Sequence, residues 1–301
     1  MTTPLETAPP SLAQGRPLWL KREDVHELGA FKWRAALPVV ERYRDEGARG
    51  VVTSSTGNHG VATSWAARRL GLAAVVFAPA GASRSKLARL EQLDADVRVG
   101  GADVDEAKEA GKAYARGHGL PFFEDGAEPL QYEAYGAIGD EILDRLEEAP
   151  AAIVVPVGNG ALLGGIGRAL GRRSPSTLRV GVAAKEAPVM ALSFEARRPV
   201  ESDRCATIAD GLAVRVAIPY AVDVLNHAAD RMLLVSEREI AEGVAAFDRA
   251  GIRAEAAAGA GLAAVSQLDE TERPIVVVVT GGNIDEELLA RCRDEPGSFP
   301  D

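Results

Sequence analysis

The sequence predicts an α/β protein built on doubly wound, largely parallel sheets with helices on both faces. Short β-branched or apolar runs alternate with longer stretches of helical spacing almost from end to end. Three glycine-rich segments each follow such a run, at a point where a helix can begin. The composition, 47% hydrophobic and 26% charged over 301 residues, suits one large α/β unit or two packed domains and excludes a disordered or collagen-like chain.

The expected strands are Val51–Ser54, Ala74–Ala78, Asp96–Val99, Ile153–Val157, Leu178–Ala183, Met232–Val235 and Ile275–Thr280. Helical spacing runs through His59–Leu70, Val104–Arg116, Gln131–Leu146 and Ser236–Ala250. Strands separated by crossover helices imply parallel pairing. The stretches Gly119–Pro129 and Arg172–Pro175, with their Pro and Gly, read as linkers or surface loops. No fixed-period repeat or low-complexity tract is present.

A net charge of −10 argues against nucleic-acid and anionic-membrane partners, since a phosphate backbone demands a basic face. The longest β-branched run, Ile275–Val279, is far too short to span a bilayer. Two cysteines, Cys205 and Cys292, make no disulfide scaffold, so a reducing cytoplasm is the expected setting. Met1 to Pro17 carries no signal-peptide pattern.

The glycine-rich segments are Thr53-Ser54-Ser55-Thr56-Gly57-Asn58-His59-Gly60, Gly158-Asn159-Gly160-Ala161-Leu162-Leu163-Gly164-Gly165 and Thr280-Gly281-Gly282-Asn283-Ile284-Asp285. Ligands of doubly wound sheets bind at the carboxyl ends of strands. Free N–H groups at a helix start, with the positive end of its dipole, make such loops anion cradles. Any one of them is equally well a plain strand-to-helix turn; three on one face weigh against that reading. A dinucleotide site is poorly supported. The second segment reads G-x-G-x-x-x-G, and Ala183, Ala184 and Lys185 stand where a ribose-binding acid would be needed.

Only six lysines occur. Lys108 and Lys112 lie one turn apart on an acidic helix and read as solvated, Lys21 falls in the polar run Lys21-Arg22-Glu23-Asp24, and Lys86 follows Ser83 at a helix start. Lys32 stands among Ala30, Phe31 and Trp33, and an apolar setting disfavours the ammonium form and leaves a nucleophilic amine. A lone lysine of this kind ordinarily snorkels from an apolar surface, but beside three anion-type loops the Schiff-base role is preferred.

Leu20-Lys21-Arg22-Glu23-Asp24 followed by Gly29-Ala30-Phe31-Lys32-Trp33-Arg34-Ala35-Ala36 resembles the cofactor-lysine segment of the fold type II pyridoxal-phosphate enzymes, most nearly the threonine/serine dehydratase and serine racemase group. Ser55 to Gly60 resembles that group's asparagine loop, and Gly158 to Leu162 its phosphate loop. Thr207 to Val214 and Thr280 to Asp285 follow in the same order. The resemblance covers nearly the whole chain.

It implies a tryptophan synthase β-like fold of two doubly wound parallel-sheet domains with the cofactor between them. Residues 1–50 and 130–301 would form the large cofactor-binding domain, and 51–129 the small substrate-capping one. It implies that Lys32 forms the Schiff base with pyridoxal 5'-phosphate and moves the proton at the substrate Cα. Asn58 would bond the cofactor's phenolic oxygen, and Thr280 its pyridine nitrogen. The N–H groups of Gly158, Asn159, Gly160, Ala161 and Leu162 would hold the phosphate. Ser55, Thr56, Gly57, Asn58 and His59 would grip the substrate carboxylate, with Thr56 on the face opposite Lys32 and His59 in backbone contact.

The implied reaction is elimination of water from a β-hydroxy amino acid, giving a 2-oxo acid and ammonia. Racemisation with Thr56 as second acid, and a threonine synthase-like replacement, remain alternatives. A small-molecule substrate and a homodimer are the expected partners.

Departures from the family pattern are also present. Ala30 replaces a serine, and Ala35-Ala36 a Gly-Ala pair. Glu133-Ala134-Tyr135-Gly136 stands at the substrate loop, which makes Tyr135 a candidate substrate contact. Ala183 occupies the position where relatives place a metal-binding glutamate, so no metal is expected. Lys185 is either an ion-pair partner of Glu186 or a substitute positive charge. No C-terminal regulatory domain is expected.

Overall fold

The computed structural model describes all 301 residues and divides them into two compact units, Met1–Phe31 with Tyr135–Asp301, and Lys32–Ala134. The chain opens with β1 (Leu5–Thr7), α1 (Pro10–Ala13) and β2 (Leu18–Arg22). It continues through α2 (Trp33–Asp45), β3 (Gly50–Ser54), α3 (Asn58–Leu70), β4 (Ala73–Ala78), α4 (Arg84–Glu91), β5 (Asp96–Val99) and α5 (Val104–His118). Then come α6 (Pro129–Arg145), β6 (Ala152–Pro156), α7 (Ala161–Arg173), β7 (Leu178–Ala184), α8 (Val189–Ala196) and α9 (Pro219–Ala228). The last elements are β8 (Arg231–Val235), α10 (Glu237–Arg249), α11 (Ala256–Ala263), β9 (Ile275–Val279) and α12 (Glu286–Asp294).

The larger unit holds a six-stranded sheet in the order β1-β2-β9-β6-β7-β8, parallel except for β1 at one edge. Its centre is continuous apolar sequence: every residue of β6 and β9 is buried, as strands covered on both faces require. The chain steps from β6 to β7 to β8 in one direction and later lays β9 on the other side of β6. The carboxyl ends of β6 and β9 therefore flank a reversal of strand order, the place where such sheets leave a crevice.

The smaller unit holds the parallel sheet β3-β4-β5 around Val52, Val75, Phe77 and Ala115. Its helices start and stop on local signals: the Ser83 and Asp103 side chains cap α4 and α5, and left-handed Gly71 and Gly119 end α3 and α5. After α5 the chain runs alongside the free edge of β3. Val52 donates to the Pro121 carbonyl at 2.9 Å, and Phe123 donates to the Val52 carbonyl at 2.8 Å. Strand order thus reverses at β3 as well, with Ser54 and Glu124-Asp125 emerging side by side.

All seven expected strands form, each within one residue at either end. The four expected helices agree to within two. β1 and β2 were not anticipated, because Leu18-Trp19-Leu20-Lys21-Arg22 ends in two cations. Lys21 is nevertheless fully buried, its charge met by Glu141 at 2.5 Å and its Nζ donating to the Thr3 carbonyl at 2.8 Å. The stretch Gly119–Pro129, read as a loop, carries the edge pairing on β3. The division between units falls after Phe31 and after Ala134 rather than at the expected 50 and 129, because α2 packs on α3. No helix is long and apolar enough to cross a membrane, and Cys205 and Cys292 are free thiols.

Candidate active site

In the smaller unit Lys32 immediately precedes α2, and its Nζ donates to Asp125 Oδ2 at 2.6 Å. The other carboxylate oxygen, Oδ1, accepts from Gln131 Nε2 at 2.9 Å and lies 3.6 Å from His59 Nδ1. Gln131 is itself fixed, since its Oε1 accepts from the Gly126 N–H at 2.8 Å. His59, in the first turn of α3, is buried with Nε2 3.2 Å from the Phe123 carbonyl and its ring edge-on to Phe123.

The charges follow from this packing. Burial alone would raise the Asp125 carboxyl, but the Lys32 charge, His59 and Gln131 hold it well below the usual carboxylate range. Burial pushes His59 below its ordinary value; Asp125 opposes this and Lys32 adds to it, so the imidazole is neutral near pH 7. One residue away, burial also works against ionisation of Glu124, but Lys108 at 2.8 Å and Lys112 at 3.2 Å keep it low. Those two lysines are ion-paired, not merely solvated.

One part of the lysine argument needs correction. Lys32 does not sit in an apolar pocket, because its nitrogen faces a carboxylate. Lys21 is the more enclosed of the two, with 1% of its side chain exposed against 15% for Lys32. What separates them is access at the end of a parallel sheet: Lys21 is enclosed within a strand pair.

Ser55, Thr56 and Asn58 are half-buried and Gly57 is exposed, in the turn between β3 and α3. The Gly57 N–H donates to Ser55 Oγ at 3.2 Å. Just before them Ser54 Oγ is buried without a partner, an open hydrogen-bonding position at the end of β3.

In the larger unit Gly158, Asn159 and Gly160 link β6 to α7. The N–H groups of Gly158, Asn159, Gly160 and Leu162 have no partner within the protein, as a helix start leaves them. The Ala161 N–H is different: it donates to Asn159 Oδ1 at 3.0 Å, closing the turn. Gly160 has φ +92°, a conformation that strains any residue with a side chain, and a Cβ there would meet Met190 at 3.1 Å. A Cβ on Gly158 would lie 2.1 Å from the Gly211 carbonyl. The glycines are therefore required by the protein's own packing. Steric room for an anion is not the first reason.

Thr280, at the end of β9, is buried, and its hydroxyl donates to Glu255 Oε1 at 2.7 Å. The Phe31 N–H donates to the Thr280 carbonyl at 3.0 Å. Tyr135 is fully buried with its ring edge-on to Phe31, 5.1 Å between centroids, and serves as packing for that segment. Lys185 pairs with Glu239 at 4.0 Å rather than with Glu186. No group of three or more His, Cys, Asp or Glu side chains is placed to hold a metal ion.

Asp125, Gln131 and Glu255 were missed from the sequence. The one available signal for Asp125 is the short apolar run Pro121-Phe122-Phe123 ahead of Asp125-Gly126, a strand-then-turn pattern inside what reads as a loop.

The residues fit pyridoxal phosphate: an amine at Lys32, open N–H groups at the start of α7 for a phosphate, and a hydroxyl at Thr280. The pyridoxal-phosphate dependent enzyme family matches residues 1–281. An L-threonine ammonia-lyase of Thermotoga maritima is 32% identical over 280 residues, covering 92% of this chain and 70% of its own length. The processed threonine deaminase isoform 2 of Solanum lycopersicum superposes with a TM-score of 0.91 at 27% identity, covering 99% of this chain and 89% of that one. Maize serine racemase superposes with a TM-score of 0.88 at 25% identity, covering 96% and 90%. With the family match over residues 1–281 and these relatives covering nearly the whole chain, the chain belongs to the pyridoxal-phosphate dependent enzymes of fold type II, in the group of the threonine and serine ammonia-lyases and racemases.

Proposed function

We propose that the protein eliminates water from a β-hydroxy amino acid of the threonine or serine type, releasing a 2-oxo acid and ammonia. The observation that carries the reading is the Lys32 nitrogen, held 2.6 Å from Asp125 in a chain similar over 92% of its length to the Thermotoga maritima L-threonine ammonia-lyase. When bound, the cofactor supplies an electron sink for the Cα–H bond of an amino acid. Lys32 attaches it and, once released by the substrate amine, takes the Cα proton.

Around that step the remaining residues orient. The N–H groups of Gly158, Asn159, Gly160 and Leu162, with the positive end of α7, hold the phosphate. Asn58 would bond the phenolic oxygen, and Thr280 Oγ1, which donates its own proton to Glu255, would face the pyridine nitrogen. The Ser55–His59 turn, at the N-terminus of α3, receives the substrate carboxylate. Cofactor-phosphate binding thus falls to the larger unit and substrate-carboxylate binding to the smaller.

The test is direct. Purified protein supplied with the cofactor is expected to show a visible band reducible by borohydride, and to release keto acid and ammonia from L-threonine or L-serine. Lys32→Ala is expected to lose both. A band and turnover that persist in Lys32→Ala overturn the assignment.

A further inference from the structure

The position of Asp125 is not explained by the reaction as described so far. The Lys32 nitrogen lies 2.6 Å from a carboxylate oxygen that the reaction as described does not use. Its side chain is only 24% exposed, and each oxygen has a set partner: Oδ2 faces Lys32, while Oδ1 takes the Gln131 amide. Gln131, fully buried, is anchored in turn by the Gly126 N–H. The titratable groups that face Asp125 are Lys32 from the start of α2 and His59 from α3. Glu124, beside it in sequence, is occupied by Lys108 and Lys112.

We propose that Asp125 is the resident counter-ion of the Lys32 nitrogen throughout turnover, a positioning residue that makes Lys32 a stronger base at the substrate Cα. This rests on the assignment of Lys32 as the cofactor lysine. The proton balance is simple. The Cα–H bond breaks, its proton passes to Nζ, and its electron pair stays with the carbon. The neutral amine becomes an ammonium whose charge would be met by a carboxylate already ionised and oriented. His59 stays neutral and buried, bracing the carboxylate without competing for it. With the cofactor loaded, the same carboxylate would favour a positive charge at Nζ.

The experiment is a pH titration of the visible band of the cofactor-loaded enzyme, beside steady-state kinetics, for wild type, Asp125→Asn, Asp125→Glu and Lys32→Ala. Asp125→Asn keeps the shape and the contact with Gln131 but removes the charge. Its visible band is expected to bleach at a pH lower by about 1–3 units. Its kcat is expected to fall roughly 10- to 100-fold, with the amino-acid KM changed much less, because the carboxylate acts on the proton transfer and not on binding. Asp125→Glu is expected to restore most of the band midpoint, which a merely structural loss would not do. A midpoint and kcat in Asp125→Asn within twofold of wild type, with the band still dependent on Lys32, overturn the counter-ion role alone. A band that survives Lys32→Ala overturns the cofactor-lysine assignment and the counter-ion role with it.

Discussion

The two units hold their candidate site residues by different physical means. The larger one works with main chain: Gly158, Asn159, Gly160 and Leu162 present N–H groups left open by a helix start, and the glycines are there because the Gly211 carbonyl leaves no room for a Cβ on Gly158 and Gly160 takes a left-handed φ of +92°. The smaller one works with side chains: Lys32, Asp125, Gln131 and His59 form a chain of charges and hydrogen bonds, each fixing the next. Main-chain sites are set by backbone conformation and tolerate change in the side chains around them. Side-chain sites depend on every member, since removing one leaves a buried charge or polar group unmatched.

The largest expected effect lies on the side-chain half. Lys32→Ala should lower kcat by roughly 10³-fold or more, the scale of losing a positioned base, while circular dichroism remains that of the wild type. A loss of less than tenfold would make the smaller unit's contribution secondary and reverse the comparison.

On the main-chain half, Gly158→Val drives a Cβ into the Gly211 carbonyl, 2.1 Å away. Overpacking of this kind should cost about 1–3 kcal/mol of stability, and cofactor retention on gel filtration should fall with it. Unchanged denaturation midpoint and unchanged retention would show that the loop gives way easily and is not preset.

Thr280→Val probes the one side chain on which the larger unit relies. It removes the hydroxyl that donates to Glu255 at 2.7 Å, and cofactor affinity, read by fluorescence titration, should weaken roughly tenfold. A much larger loss would mean that the larger unit, too, is built on side chains.

The smallest effect is a pH dependence that belongs to the smaller unit. The folded-state value of His59 lies below its unfolded one, so on acidification the unfolded chain takes up the proton first. Stability is therefore full above the ordinary imidazole value of about 6.5 and declines as pH falls below it. Asp125, also depressed, adds stability that is present above the ordinary carboxyl range and is lost only as pH falls through it. Chemical denaturation from pH 7.5 to 5 should show the His59 decline in wild type and a flatter profile in His59→Gln. Parallel profiles would remove His59 as its source.

Much of this could be read in advance. The strand Ile275–Val279 and the helix capped by Ser236 announce themselves through local runs and caps, and the glycine loops through backbone needs that only glycine meets. Lys32 was found through its place in a motif, although the apolar reasoning offered for it was mistaken. The fully buried Lys21 shows why: polarity of neighbours in sequence says little about neighbours in space, and Glu141, 120 residues on, made that strand possible.

By itself, then, the sequence determined the α/β alternation, the places where strands give way to helices and the three glycine-rich turns, and it singled out Lys32 as the candidate lysine. Each is written in a window of a dozen residues or fewer, where periodicity and backbone sterics act. Only the tertiary structure decided that strand order reverses at β3 and at β6. It alone joined Asp125 to Lys32 across 93 residues and Glu255 to Thr280 across 25. Such pairs leave no periodic trace, because a buried charge is matched by whichever partner the folded chain brings within about 3 Å, and that distance exists only once the sheets have formed.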